Sequence, residues 1–145
     1  MLVSTKTLHV EWGHCDAAGI VFYPNYLAWF DDCNTALFAS AGLPIQDLFR
    51  SQGIVGVPLV DVRVKFMTSS TYGDQLRAES TVTEIRNSSF VVRHQFFKGD
   101  QLAVEGFETR VWAERDSSNG GRIRACRIPP LIVSKLSGEA VVKPS

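Results

Sequence analysis

One segment of this 145-residue chain limits the fold more than any other: a helix candidate from Pro24 or Asn25 to Ala41. It carries Tyr26, Trp29, Phe30, Cys33, Leu37, Phe38 and Ala41 at steps of three and four residues, which puts them on one wide helical face. Pro24 presets the φ of a first helical turn and pushes Tyr23 toward extended backbone. Gly42 supplies a C-terminal cap, and Pro44 prevents extension. So much aromatic surface needs a large partner, and core packing is the ordinary fate of Trp29 and Phe38.

The remaining residues supply that partner as strands. Thr7–Trp12 forms a first strand, with Leu8 and Val10 on one face and His9 and Glu11 on the other. Ile45–Ser51 makes a helical turn, and Gly53 and Gly56 end it. Val60, Val62, Val64 and Phe66 then alternate with Asp61, Arg63 and Lys65, the pattern of a half-buried strand. Further strands cover Leu76–Ile85, Phe90–Phe97, Leu102–Ala113 and Arg122–Ile128, joined by turns at Tyr72-Gly73-Asp74, Asn87-Ser88, Gly99-Asp100 and Ser117–Gly121. Short connections predict an antiparallel meander that Pro129-Pro130 stops. Leu131–Leu136 makes a short helix packed outside, and Gly138–Ser145 reads as a loose tail. One strand, one long helix and then five strands define an α+β class, not βαβ alternation, and the length suits one domain over residues 1–145.

Composition removes several functions. Fifteen basic and fifteen acidic residues cancel, so no global field draws nucleic acid or an anionic membrane. No apolar run approaches the roughly 20 residues of a membrane span, and the N-terminus lacks the charge and apolar pattern of a signal peptide, so the expected location is the cytoplasm. Cys15, Cys33 and Cys126 are odd in number and widely spaced, which fits reduced thiols. His9, His14 and Cys15 have no compact closing pair of ligands, so no metal is expected.

The loop before the helix carries the chemistry. In VEWGHCDAAGIVFYPNY, Gly13 and Gly19 bracket Asp16, and a helix start follows at once. Glycines let the backbone take positive φ or let a ligand approach closely. Free N–H groups at a helix start carry partial positive charge and hold an anion, or a carbonyl oxygen that is becoming one. A carboxylate beside such a cradle suits attack on a carbonyl carbon. The ordinary use of an Asp between glycines is a turn in which it bonds its own backbone. Cys15 is the weaker nucleophile candidate, because a carboxylate next door works against a thiolate.

The run CDAAGIVFYPNYLAWFDD resembles the signature of the 4-hydroxybenzoyl-CoA thioesterase family of hotdog-fold proteins. GIVGVPLVDVRVKF, YGDQL and SFVVRH match in the same order, and the resemblance covers Leu8 to Pro129. It implies a hotdog fold, an antiparallel β-sheet wrapped around a central long α-helix, and an acyl-CoA thioesterase that hydrolyses a small or medium aroyl or acyl thioester. Asp16 matches the family's essential carboxylate, acting as nucleophile or general base, and the Tyr23 backbone N–H matches the group that polarises the carbonyl. Gly19, Trp29, Val57 and Pro58 are the implied substrate contacts. Arg86, Ser88 and Arg124 are the implied coenzyme A contacts, with Arg122 and Arg127 as further candidates. No cofactor is implied, since coenzyme A is part of the substrate.

Departures from the family pattern touch the substrate. His14 stands where the 4-hydroxybenzoyl enzyme carries an acid, and Val57 replaces a hydroxyl-bearing residue. Asp31 is a rival base, because other hotdog thioesterases place their carboxylate on the central helix; the plainer reading is that Asp31 and Asp32 complement the helix dipole. Hotdog domains join sheets edge to edge, so the resemblance implies a homo-oligomer, a dimer or a homotetramer, with active sites between subunits. The alternative function is a non-catalytic acyl-CoA-binding hotdog module.

Overall fold

Helix α1 spans Pro24–Ser40, and Gly42 beyond it has a φ of +77°, which glycine adopts without a Cβ clash. Around it, a computed structural model describing residues 2–138 places strands β1 (Val3–His9), β2 (Leu59–Phe66), β3 (Gln75–Ile85), β4 (Ser89–Lys98) and β5 (Gln101–Val111) in one antiparallel sheet, ordered β1-β3-β4-β5-β2. A short helix α2 (Ile45–Ser51) follows α1. The α+β hotdog expectation therefore holds: a sheet wrapped on one long helix. Gly138 is the last described residue, so the expected tail lies outside it.

Three local expectations change. The first strand ends at His9, because Trp12–His14 closes a 3-10 turn through His14 N–H to Glu11 C=O at 3.0 Å. Tyr23 is helical, φ −55° and ψ −32°, although a proline follows it. Its carbonyl accepts from Tyr26 N–H at 3.1 Å and that of Phe22 from Asn25 N–H at 2.9 Å, and these turn bonds outweigh the pre-proline preference for extended backbone. The meander is real for β3, β4 and β5, but β2 pairs with β5 and β1 with β3, leaving β1 and β2 as edges. Residues 67–74 cross from one edge toward the other past the α1 N-terminus, where Val21 N–H donates to Ser70 C=O at 2.9 Å.

The last strand leaves the sheet. Trp112 is buried and donates its N–H to Ser88 C=O at 2.8 Å, bending the chain after β5. Ala113–Asp116 (β6) then pairs with Arg122–Ala125 (β7) as a separate ribbon. Helix α3, Pro130–Ser137, buries Ile132 and Leu136 in the core, where the sequence placed it outside; with apolar side chains at steps of four, it covers the core around Leu37 and Phe38.

Two clusters fill the interior, one for each half of α1. Tyr26, Trp29, Phe30 and Cys33 meet Leu8, Leu76, Ala78, Phe96 and Val104. Leu37 and Phe38 meet Val82, Phe90, Val92, Trp112, Ile128 and Ile132. Phe30 fits only because residue 106 is glycine: a Cβ there would lie 2.4 Å from the Phe30 ring.

Candidate active site

The loop ahead of α1 is knit by its own backbone. Asp16 N–H donates to Ile20 C=O and Gly19 N–H to Asp16 C=O, both at 2.9 Å, and Phe22 N–H reaches His14 C=O at 2.8 Å. Gly19 takes φ +78°, whereas Gly13 stays out of the left-handed region. Thr71 clamps the loop from the crossing segment, its Oγ1 donating to Gly19 C=O at 2.8 Å. Asp16 is exposed, and its Oδ1 accepts Ala18 N–H at 2.9 Å, the self-bonding turn that glycines invite. The other carboxylate oxygen has no hydrogen-bond partner among the described residues. His14 is committed elsewhere: Nδ1 accepts Glu11 N–H at 2.8 Å and the ring stands edge-on to Trp29 at 5.0 Å.

Tyr23 N–H takes no backbone acceptor among the described residues, and Pro24 has no N–H to compete with it. Beside it opens an apolar groove of about 310 Å³ lined by Ile20, Val21, Tyr23, Tyr26, Phe66 and Met67. Trp29 is not in the groove; it is buried against Tyr26 and Phe96.

Val57 and Pro58 lie in a second pocket of about 340 Å³, with Asp31, Asn34, Phe49 and Arg110. Asp31 follows Tyr23 by eight residues, about 12 Å along the helix. The two hollows thus lie about two turns apart along α1. Arg110, itself buried, holds the second one together: Nη1 donates to Val57 C=O at 3.1 Å and Nη2 to Asp31 Oδ1 at 3.1 Å and Glu108 Oε2 at 2.9 Å. Behind it, Glu108 Oε1 meets His94 Nε2 at 2.8 Å, and His94 Nδ1 meets Ser80 Oγ at 2.7 Å. Burial pushes the Glu108 carboxyl up, but His94 and Arg110 together outweigh it and hold it below its ordinary range.

Sequence reading missed Arg110, Glu108 and His94, although the alternation contained them. His94 follows Phe90 and Val92 at even steps, and Glu108 and Arg110 follow Val104 and Gly106, so all three point inward. The arginine candidates divide. Arg124 is forked onto Glu114 Oε1 at 2.9 and 2.6 Å. Arg86 is paired with Glu84 at 2.9 Å yet shares a groove with Arg127, next to the turn holding Ser88. That groove and the Asp16 loop lie at opposite ends of α1, whose 17 residues span about 25 Å.

An antiparallel sheet wrapped on one long helix is the hotdog architecture. The thioesterase-like superfamily matches residues 10–136, and the chain belongs to that family. It is 38% identical over 131 residues to a 4-hydroxybenzoyl-CoA thioesterase of Pseudomonas sp. (strain CBS-3), covering 86% of this chain and 91% of that one. The solved structure of a 4-hydroxybenzoyl-CoA thioesterase from the same strain superposes with a TM-score of 0.85 at 35% identity, over 93% of this chain and 99% of that one. A gentisyl-coenzyme A thioesterase superposes with a TM-score of 0.78 at 28% identity, over 92% and 98%. The chain is a thioester hydrolase of the acyl-CoA thioesterase class. No helix among the described residues is long and apolar enough to cross a membrane.

Proposed function

We propose that Asp16 and the Tyr23 N–H carry the hydrolysis of a small or medium aroyl- or acyl-CoA thioester. The observation that supports this is their placement on one short loop knit by backbone bonds, of which Ile20, Val21 and Tyr23 wall an apolar groove. The thioester oxygen accepts from Tyr23 N–H, so the charge that builds up on it in the transition state meets a fixed donor. Two routes share this geometry. In one, the Asp16 carboxylate bonds to the carbonyl carbon, coenzyme A leaves as thiolate, and water cleaves the resulting anhydride. In the other, Asp16 takes a proton from the attacking water. Label in the Asp16 side chain after a single turnover in ¹⁸O-water identifies the anhydride route with water adding at the Asp16 carbonyl, and trapping of the anhydride by hydroxylamine identifies it where water adds at the acyl carbon. Neither route calls for a metal or cofactor.

The acyl group enters the Val57–Pro58 pocket of a second copy. Edge strand β2 leaves Leu59, Val60 and Phe66 exposed at 42, 61 and 53%, and such an edge needs covering. Antiparallel pairing of two β2 strands reverses one chain against the other. The Phe66 end, beside Tyr23, then faces the Leu59 end, beside Val57 and Asp31. Arg86 and Arg127, with Ser88, hold the coenzyme A phosphates; their distance from Asp16 is on the scale of the carrier arm, not of an acyl group. Arg124 contributes only by releasing Glu114. The assembly is a homodimer or, by further pairing, a homotetramer, acting in the cytoplasm, where the three unpaired cysteines stay reduced. Light scattering tests the assembly, and a concentration-independent monomer mass would refute it.

A further inference from the structure

Buried charge among the described residues is concentrated in one place, and it leads somewhere. Ser80, His94, Glu108 and Arg110 are 1, 0, 1 and 6% exposed, so each has given up its water. Taking ionised groups out of water is expensive, and a buried ion pair is often no more stabilising than apolar residues of the same volume. The inner face of β5 is otherwise ordinary core. Phe30 stacks on the His94 ring at 4.8 Å and 8°, which fixes the imidazole plane.

The chain of bonds has one outlet. His94 and Ser80 hold Glu108 from behind; Glu108 holds Arg110 by Nε at 3.3 Å and Nη2 at 2.9 Å. The guanidinium, a rigid fork, then reaches only Val57 C=O and Asp31 Oδ1, both in the pocket wall. Asp31 is 67% exposed and has no comparable restraint of its own. Asn34 lines the same pocket, with its buried Oδ1 lacking a partner.

The geometry points to Glu108 and Arg110, braced by His94 and Ser80, as positioning residues that fix the Asp31 carboxylate and the Val57 carbonyl and so set which acyl groups the pocket accepts. This rests on the reading that the pocket receives the acyl end. Loosening the relay lets Asp31 and the 57–58 wall move, weakening acyl recognition while leaving the coenzyme A end and the Asp16 loop as they are.

The test measures binding, so it does not depend on turnover. Calorimetry of phenacyl-coenzyme A, a non-hydrolysable aromatic thioether, and of coenzyme A alone is run on the full chain and on Glu108→Gln, Asp31→Asn and the double variant. Glu108→Gln weakens phenacyl-coenzyme A about tenfold, the scale of one charged hydrogen bond, and leaves coenzyme A unchanged. Its effect and that of Asp31→Asn are less than additive, because both act on one contact. Ser80→Ala, a milder change at the far end, gives a loss of about twofold to threefold in the same sense and decides the matter if Glu108→Gln does not fold. Equal weakening of both probes, additive losses, or no preference of wild type for the aromatic probe would overturn the proposal. Turnover by Asp16→Asn is a separate assay, so a failure there identifies the catalytic reading as the one at fault.

Discussion

The Asp16 loop and the Glu108–Arg110 relay are built in opposite ways. The loop is exposed and held mainly by backbone bonds and turns, with Thr71 and Asn25 side chains bonding its carbonyls, so its shape does not depend on the Asp16 charge. The relay is buried, and every bond in it is made by a side chain, so every member matters. A group that reacts must be reachable and cheap to alter; a group that positions another must be rigid. The chain places each kind where its physics suits the task.

The largest effect that sharpens this contrast comes from removing a relay charge. Glu108→Ala leaves Arg110 buried without its partner and lowers stability by about 3–5 kcal/mol, read from the midpoint of urea unfolding. Asp16→Asn, measured the same way, stays within about 0.5 kcal/mol of wild type. Equal losses would erase the distinction. Gly106→Ala, which pushes a methyl into the Phe30 ring against His94, costs about 1–3 kcal/mol.

Acid probes the same carboxylate. The Glu108 carboxyl lies below its ordinary value of 4.5 in the folded chain, so its contribution is full above that value and is lost as pH falls through the lower folded one. Glu108→Gln therefore flattens the acid limb of a stability-against-pH curve.

Smaller still is the clamp on the loop. Thr71→Ala removes one hydrogen bond, about 0.5–1.5 kcal/mol, and speeds amide hydrogen exchange at Val21 without shifting the exchange of β4. Cys33 gives the least response: burial pushes its thiol up to about 11, so it stays unmodified by iodoacetamide at neutral pH while the protein is folded.

The sequence disclosed elements better than their neighbours. The α1 stripe and the β3–β5 hairpins were legible because three-and-four and alternate spacing are local signals. That β2 crosses to β5 was not, since strand order depends on what residues 67–74 do around the α1 N-terminus. The loop around Asp16 and the helix start after it were legible because glycine and proline punctuate a short segment. The relay was hidden for a different reason. Glu108 and Arg110 read as surface charges until Val104, Gly106 and Trp112 are seen to share their parity on the strand. Tyr23 shows the limit of a local rule, since two turn bonds overrode the preference that Pro24 imposes.

One measurement bears most directly on the catalytic reading: coenzyme A release from benzoyl, hydroxybenzoyl, phenylacetyl and aliphatic thioesters by wild type and Asp16→Asn. Asn keeps the oxygen that accepts from Ala18 N–H, so the loop retains its shape and only the carboxylate charge is lost. The account predicts a fall in kcat of about a hundredfold or more with the fold and melting temperature unchanged. Near wild-type turnover by Asp16→Asn, with Asp31→Asn inactive instead, would contradict it.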